Sequence, residues 1–69
     1  MKAVVIEDEQ KTREAIASVI NRLCNDTKVV ATAHNVKTGI DAISNHHPEL
    51  VLTDVVLSDG TAFDILKQV

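Results

Sequence analysis

Three short runs rich in β-branched aliphatic residues, two of them followed by clear helical periodicity and the last by a turn and a helical start, constrain this chain most. The runs are "KAVVI" (Lys2–Ile6), Val29–Ala33 and Leu50–Val56. Continuous apolar runs without polar alternation mark strands buried on both faces. From Gln10 to Cys24, Ile16, Val19, Ile20 and Leu23 fall on one helical face, with no Gly or Pro inside the segment. Asn35 is a suitable N-cap for a second helix that carries Val36, Ile40 and Ile43 on one side. Gly39 weakens that helix by about 1 kcal/mol relative to Ala, and the "NHHP" stretch ends it, because Pro48 cannot continue a helix. Asp59-Gly60 marks a turn, and Thr61–Val69 starts a third helix with Phe63, Leu66 and Val69 in register. The order β-α-β-α-β-α predicts an α/β fold, a parallel sheet with right-handed crossovers and helices on its faces. Ligands of such sheets bind outside the carboxyl ends of the strands.

Composition narrows the class further. With 69 residues the chain makes at most one small domain, and with Phe63 as its sole aromatic residue its core must be aliphatic. The net charge is −3, without a basic stripe or block, so phosphate-backbone contacts to nucleic acid are not expected. One cysteine, Cys24, leaves no intrachain disulfide and fits a reducing compartment. The opening apolar stretch Ala3–Ile6 is too short for a signal peptide and no run approaches a membrane span, which predicts a soluble cytoplasmic protein with no membrane partner.

Two of the predicted strands end in acid: Ile6 runs into Glu7-Asp8, and Thr53 into Asp54. In a parallel sheet both ends point to the same edge, so neighbouring strands would bring three carboxylates across one crevice. Such a cluster needs a cation, raised pKa values, or both. An all-oxygen donor set suits a hard ion, Mg²⁺ or Mn²⁺. A carboxylate beside such an ion can act as a nucleophile toward phosphorus.

These features resemble the receiver domain of bacterial two-component response regulators. "VVIEDE" is similar to that family's first-strand signature, and "LVLTDVVLSDGTAFDIL" to its phosphoacceptor strand and following loop. The resemblance covers all 69 residues and implies a flavodoxin-like fold cut short. Residues 1–69 would be a truncated receiver, its first three βα units, with a three-stranded parallel sheet in order 2-1-3 and three helices. By position it makes Asp54 the phosphoacceptor, Asp8 a direct Mg²⁺ ligand, Glu7 a ligand through water, and the Val56 backbone carbonyl the last protein ligand. It also implies a sensor histidine kinase as phosphoryl donor and an output domain in the parent protein. The style of the loop is similar to regulators with a LytTR-type DNA-binding output, hence transcription control. Ser58 stands where the family usually has Pro, and Ala62 where it usually has Gly. The family's later Ser/Thr and Lys, which contact the phosphoryl group, have no counterpart in this sequence, and Lys2 and Lys67 offer no substitute. Phosphorylation of this segment by itself is therefore expected to be impaired.

Other readings compete. A non-phosphorylated interaction module would self-associate through an exposed third-strand edge, since unpaired apolar edges invite pairing. The "SDGT" stretch also resembles the haloacid-dehalogenase phosphatases, whose Asp-x-Asp-Gly-Thr motif carries the nucleophile where this chain has Leu57. On the receiver reading Asp59 is a turn residue, and Asp64 favours a helix N-terminus. His46 and His47 end a helix, His34 lies in a loop, and Cys24 is a buried small hydrophobe.

Overall fold

The most apolar run becomes the middle of the sheet. In the computed structural model, which describes residues 1–68, β1 (Lys2–Ile6) lies between β2 (Lys28–Ala33) and β3 (Leu50–Thr53), and both neighbours run parallel to it. Ala3, Val4, Val5 and Ile6 are all buried, as expected of a strand covered on both faces. The three-stranded sheet thus has the order 2-1-3. Pairing of Ile6 with both Ala33 and Thr53 brings the three strand ends level.

Helix α1 (Gln10–Leu23) follows β1, α2 (Val36–His46) follows β2, and α3 (Ala62–Gln68) closes the described chain. Val69, placed in the third helix by its register, lies outside the described residues. Successive strand residues face opposite sides, and β3 shows which helix lies where. Leu52 borders a hollow with Ile16 and Ile20 of α1, whereas Val51 borders one with Ile43 of α2 and Ile65 of α3. The core therefore sits on the α2–α3 side, where Val4, Ile6, Ala33, Val36, Ala42, Leu57 and Ile65 pack together. None of the described helices is long and apolar enough to cross a membrane.

Some expectations are corrected. The apolar face of α1 is not buried: Val19 is 45% exposed and Leu23 69%. This helix packs mainly on β1 and β2, and a helix only about 10 Å wide leaves Leu52 on β3 uncovered. In α3 the buried residue is Ile65, while Phe63 and Leu66 face outward. Cys24 is exposed, because it caps the C-terminus of α1 in an extended conformation and does not continue the apolar face. The third run stops pairing in the main sheet after Asp54, whose amide still donates to the Ile6 carbonyl at 3.3 Å. Beyond it, β4 (Val56–Leu57) and β5 (Gly60–Thr61) form a small antiparallel hairpin, so α3 begins at Ala62 rather than Thr61.

Candidate functional site

The level strand ends put the acids side by side. Glu7 extends β1 by one more bond, its amide donating to the Ala33 carbonyl at 2.9 Å. Asp54 extends β3 against the same strand. One carboxylate oxygen each from Glu7, Asp8 and Asp54 lies within 4.8 Å of the other two. Glu7 is buried, at 7% exposure, and Asp8 and Asp54 are open to solvent. A hollow lined by Val5, Ile16 and Leu52 opens next to Glu7 and Asp54. Like charges this close disfavour full ionisation. The Glu7 carboxyl is pushed above the usual carboxylate range, chiefly by hydrogen bonding with the Asp54 side chain, with burial and Asp8 adding to it. The amide of Glu9, which donates to Glu7 Oε1 at 3.2 Å, works in the opposite direction.

The start of α1 braces this edge. Glu9 is its N-cap, accepting from the amides of Lys11 at 3.2 Å and Thr12 at 2.7 Å. Those bonds, the one from Thr12 foremost, hold the Glu9 carboxyl below its ordinary range. Arg13 Nη1 donates to the Glu7 carbonyl at 2.8 Å, tying the first turn of α1 to the end of β1.

Val56, the fourth residue singled out from the sequence, opens the β4–β5 hairpin two positions after Asp54 and is 70% exposed. The hairpin is fastened at several points. Leu57 is buried in the core, the Ala62 amide donates to the Val55 carbonyl at 2.9 Å, and Asp64 Oδ2 accepts from the Thr61 amide at 2.9 Å. Asp59, read from the sequence as a turn residue, has a further role. Its carboxylate accepts from the amides of Val36 at 2.6 Å and Lys37 at 3.1 Å, at the start of α2. Those bonds, led by the one from Val36, lower its pKa. Partners so far apart in sequence leave no local pattern to read.

This arrangement disposes of the phosphatase reading. Leu57, at the position where that chemistry requires its first aspartate, points into the core at 5% exposure, and the Asp59 carboxylate is occupied by α2. His46 and His47 sit at the end of α2, where His47 adopts the left-handed conformation at φ 48° and its amide donates to the Ile43 carbonyl. His34 follows β2 in a bend, as expected of a loop residue.

The donor set at the strand ends, carboxylate oxygens without sulfur or imidazole, fits a hard divalent cation such as Mg²⁺. The sequence profile of the family described as "Response regulator receiver domain" matches residues 3–69. Among characterised proteins, the sensory transduction protein LytT of Bacillus subtilis is 29% identical over 68 residues, which is 99% of this chain and 28% of that protein. The response regulator protein PilR of Pseudomonas aeruginosa is 31% identical over 68 residues, 99% of this chain and 15% of that one. The chain thus spans less than a third of either relative. A crystal structure of the N-terminal domain of an uncharacterized protein from Wolinella succinogenes superposes with a TM-score of 0.83 at 19% identity. That match covers 99% of this chain and 52% of the other, and it shows the shared fold.

Proposed function

Since the chain belongs to the response regulator receiver domain family, we propose that Asp54 is the phosphoacceptor of a two-component signalling protein and that Glu7, Asp8 and the Val56 carbonyl hold Mg²⁺ beside it. The convergence of the Glu7, Asp8 and Asp54 carboxylates at the ends of β1 and β3 carries this reading. Mg²⁺ bound there would neutralise charge on the transferring phosphoryl oxygens. Asp54, exposed at the end of β3, is open to a donor, and one of its oxygens attacks phosphorus. With a phosphohistidine of a sensor kinase as donor, the P–N bond breaks and the imidazole leaves with the electron pair. Glu7 is buried and hydrogen-bonded to its neighbours, which suits it to orient the cation's water shell rather than to react. Residues 1–69 correspond to the first three βα units of such a domain, and the parent's output domain, DNA-binding in the LytTR-like case, would respond to phosphorylation.

Thermal melting with and without Mg²⁺ tests the site. An ion that binds the native state alone raises the melting temperature, so millimolar Mg²⁺ is expected to raise it in the wild type and not in Asp8→Asn. An unchanged Mg²⁺ effect in Asp8→Asn refutes the assignment. A second reading, self-association as an interaction module, is favoured by the outer edge of β3, which is unpaired among the described residues and has apolar hollows on both of its faces. Two copies joined along β3 are expected by light scattering, and a monodisperse 7.5 kDa monomer excludes them.

A further inference from the structure

The hairpin after Asp54 is held at its tip by a contact unrelated to the turn itself. Ser58 and Asp59 form the two-residue connection between β4 and β5. An aspartate there commonly bonds to its own turn, but both oxygens of Asp59 reach across to α2. Oδ1 accepts from the Val36 amide and Oδ2 from the Lys37 amide. Helix starts leave their first amides without intrahelical partners. In α2, Asn35 Oδ1 takes the Thr38 amide at 2.8 Å and Thr38 Oγ1 takes that of Asn35 at 3.2 Å. Asp59 supplies the partners for the remaining two amides. Gly60 fits the crowded turn: it adopts φ 155°, and a Cβ there would lie 2.5 Å from Asp64 Oδ2 and 3.1 Å from Val36 Cγ2.

The other fastenings of the hairpin lie near its base or inside it. Ala62 is bonded to Val55, Thr61 to Asp64, and Leu57 is seated in the core. The first two join the hairpin to its own flanks, and Leu57 anchors its first strand on the core by apolar packing. The Asp59 bond is the polar link between its tip and a separate element. We propose that Asp59 is a positioning residue for the acidic crevice: by gripping the start of α2 it fixes the β4–β5 hairpin, and with it the Val56 carbonyl, relative to the Asp54 carboxylate. This rests on the reading of Val56 as a metal ligand.

The test is Mg²⁺ titration followed by amide NMR, at a temperature where every variant is folded by circular dichroism. Loss of a partner that orients a metal ligand typically costs about 10- to 100-fold in affinity, and Asp59→Ala is expected to weaken Mg²⁺ within that range. Asp59→Asn keeps one acceptor oxygen and is expected to fall between Asp59→Ala and the wild type, which keeps the test open if the alanine variant does not fold. Val30→Ala, which thins the packing of β2 against the core without touching the Asp59 bonds, is expected to lower stability while leaving Mg²⁺ affinity unchanged. Wild-type affinity in Asp59→Ala, or an equal loss in Val30→Ala, overturns the positioning role and leaves the metal site standing. Absence of saturable Mg²⁺ binding in the wild type overturns both.

Discussion

Replacing Gly39 by alanine pits helix propensity against packing, and the structure decides the sign. In an exposed helix interior this change stabilises by about 1 kcal/mol. At Gly39 the added Cβ would sit 2.8 Å from Ile6 Cδ1, 3.3 Å from Ile65 Cδ1 and 3.4 Å from Ile6 Cγ1. Favourable carbon contacts lie at about 3.5–4.0 Å. The closest atom is the end of a flexible side chain, which could normally swing aside. Ile6, however, is 1% exposed in the central strand and belongs to the core cluster with Val4, Val36 and Ala42, so it swings aside only by displacing packed neighbours. Overpacking of a filled core costs about 1–3 kcal/mol. After subtracting the propensity gain, Gly39→Ala is expected to destabilise by about 1 kcal/mol. For a domain this small that is a drop of about 4–8 °C in melting temperature.

Urea denaturation of four proteins checks the reasoning: wild type, Gly39→Ala, Ile6→Val and the double variant. Ile6→Val removes the clashing Cδ1 and by itself costs about 0.5–1.5 kcal/mol. In that background Gly39→Ala is expected to turn neutral or stabilising, so the two changes are strongly non-additive. If Gly39→Ala stabilises the wild type, or costs the same in both backgrounds, the proposed close approach of α2 to β1 is wrong.

Asp54→Asn neutralises one of three crowded acids, and it is expected to raise the melting temperature in EDTA while abolishing the rise produced by Mg²⁺; a lower melting temperature in EDTA contradicts this. The acid groups also set opposite pH limbs. Asp59 and Glu9 have lowered folded pKa values, so their stabilisation is present above the unfolded values, about 4, and is lost as pH falls through the folded ones. Glu7 has a raised value, so its contribution is complete below its unfolded pKa and is lost as pH rises through the folded one. Metal-free stability is therefore expected to peak in mild acid. Melts across pH should show the alkaline limb flattened by Asp54→Asn and the acid limb flattened by Asp59→Asn.

The parts of the fold visible in the sequence are those governed by local pattern. The run Lys2–Ile6 announced a strand buried on both faces, Asn35 an N-cap, and the acids after Ile6 and Thr53 a shared edge, because each signal lies within a few residues of its consequence. Periodicity named the apolar face of α1 correctly but could not say how much of it the sheet covers, so Val19 and Leu23 turned out exposed. The β4–β5 hairpin was missed because each strand has only two residues, too few to show alternation. Asp59 escaped for a different reason: the amides it caps lie 22 and 23 residues before it. Gly39 read as a flaw in a helix, when its lack of a side chain is what lets α2 approach Ile6.

The topology gathers strand ends and helix starts at the same edge, with consequences for how a phosphoryl group could be held there. Helix starts attract anions through their free amides and dipoles. At this edge most of those amides already have acceptors. Glu9 takes Lys11 and Thr12 at α1, and Asp59 and Asn35 take Val36, Lys37 and Thr38 at α2. The carboxylates that cap the helices thus occupy amides that would otherwise receive a phosphate, and Glu9 adjoins the three clustered carboxylates through its amide bond to Glu7. An incoming phosphoryl group would add negative charge to a crevice whose polar donors are largely spent. Under the proposed function its charge must be met by the divalent cation and by cationic side chains from elsewhere, so Asp54 is expected to accept phosphoryl only when Mg²⁺ is present.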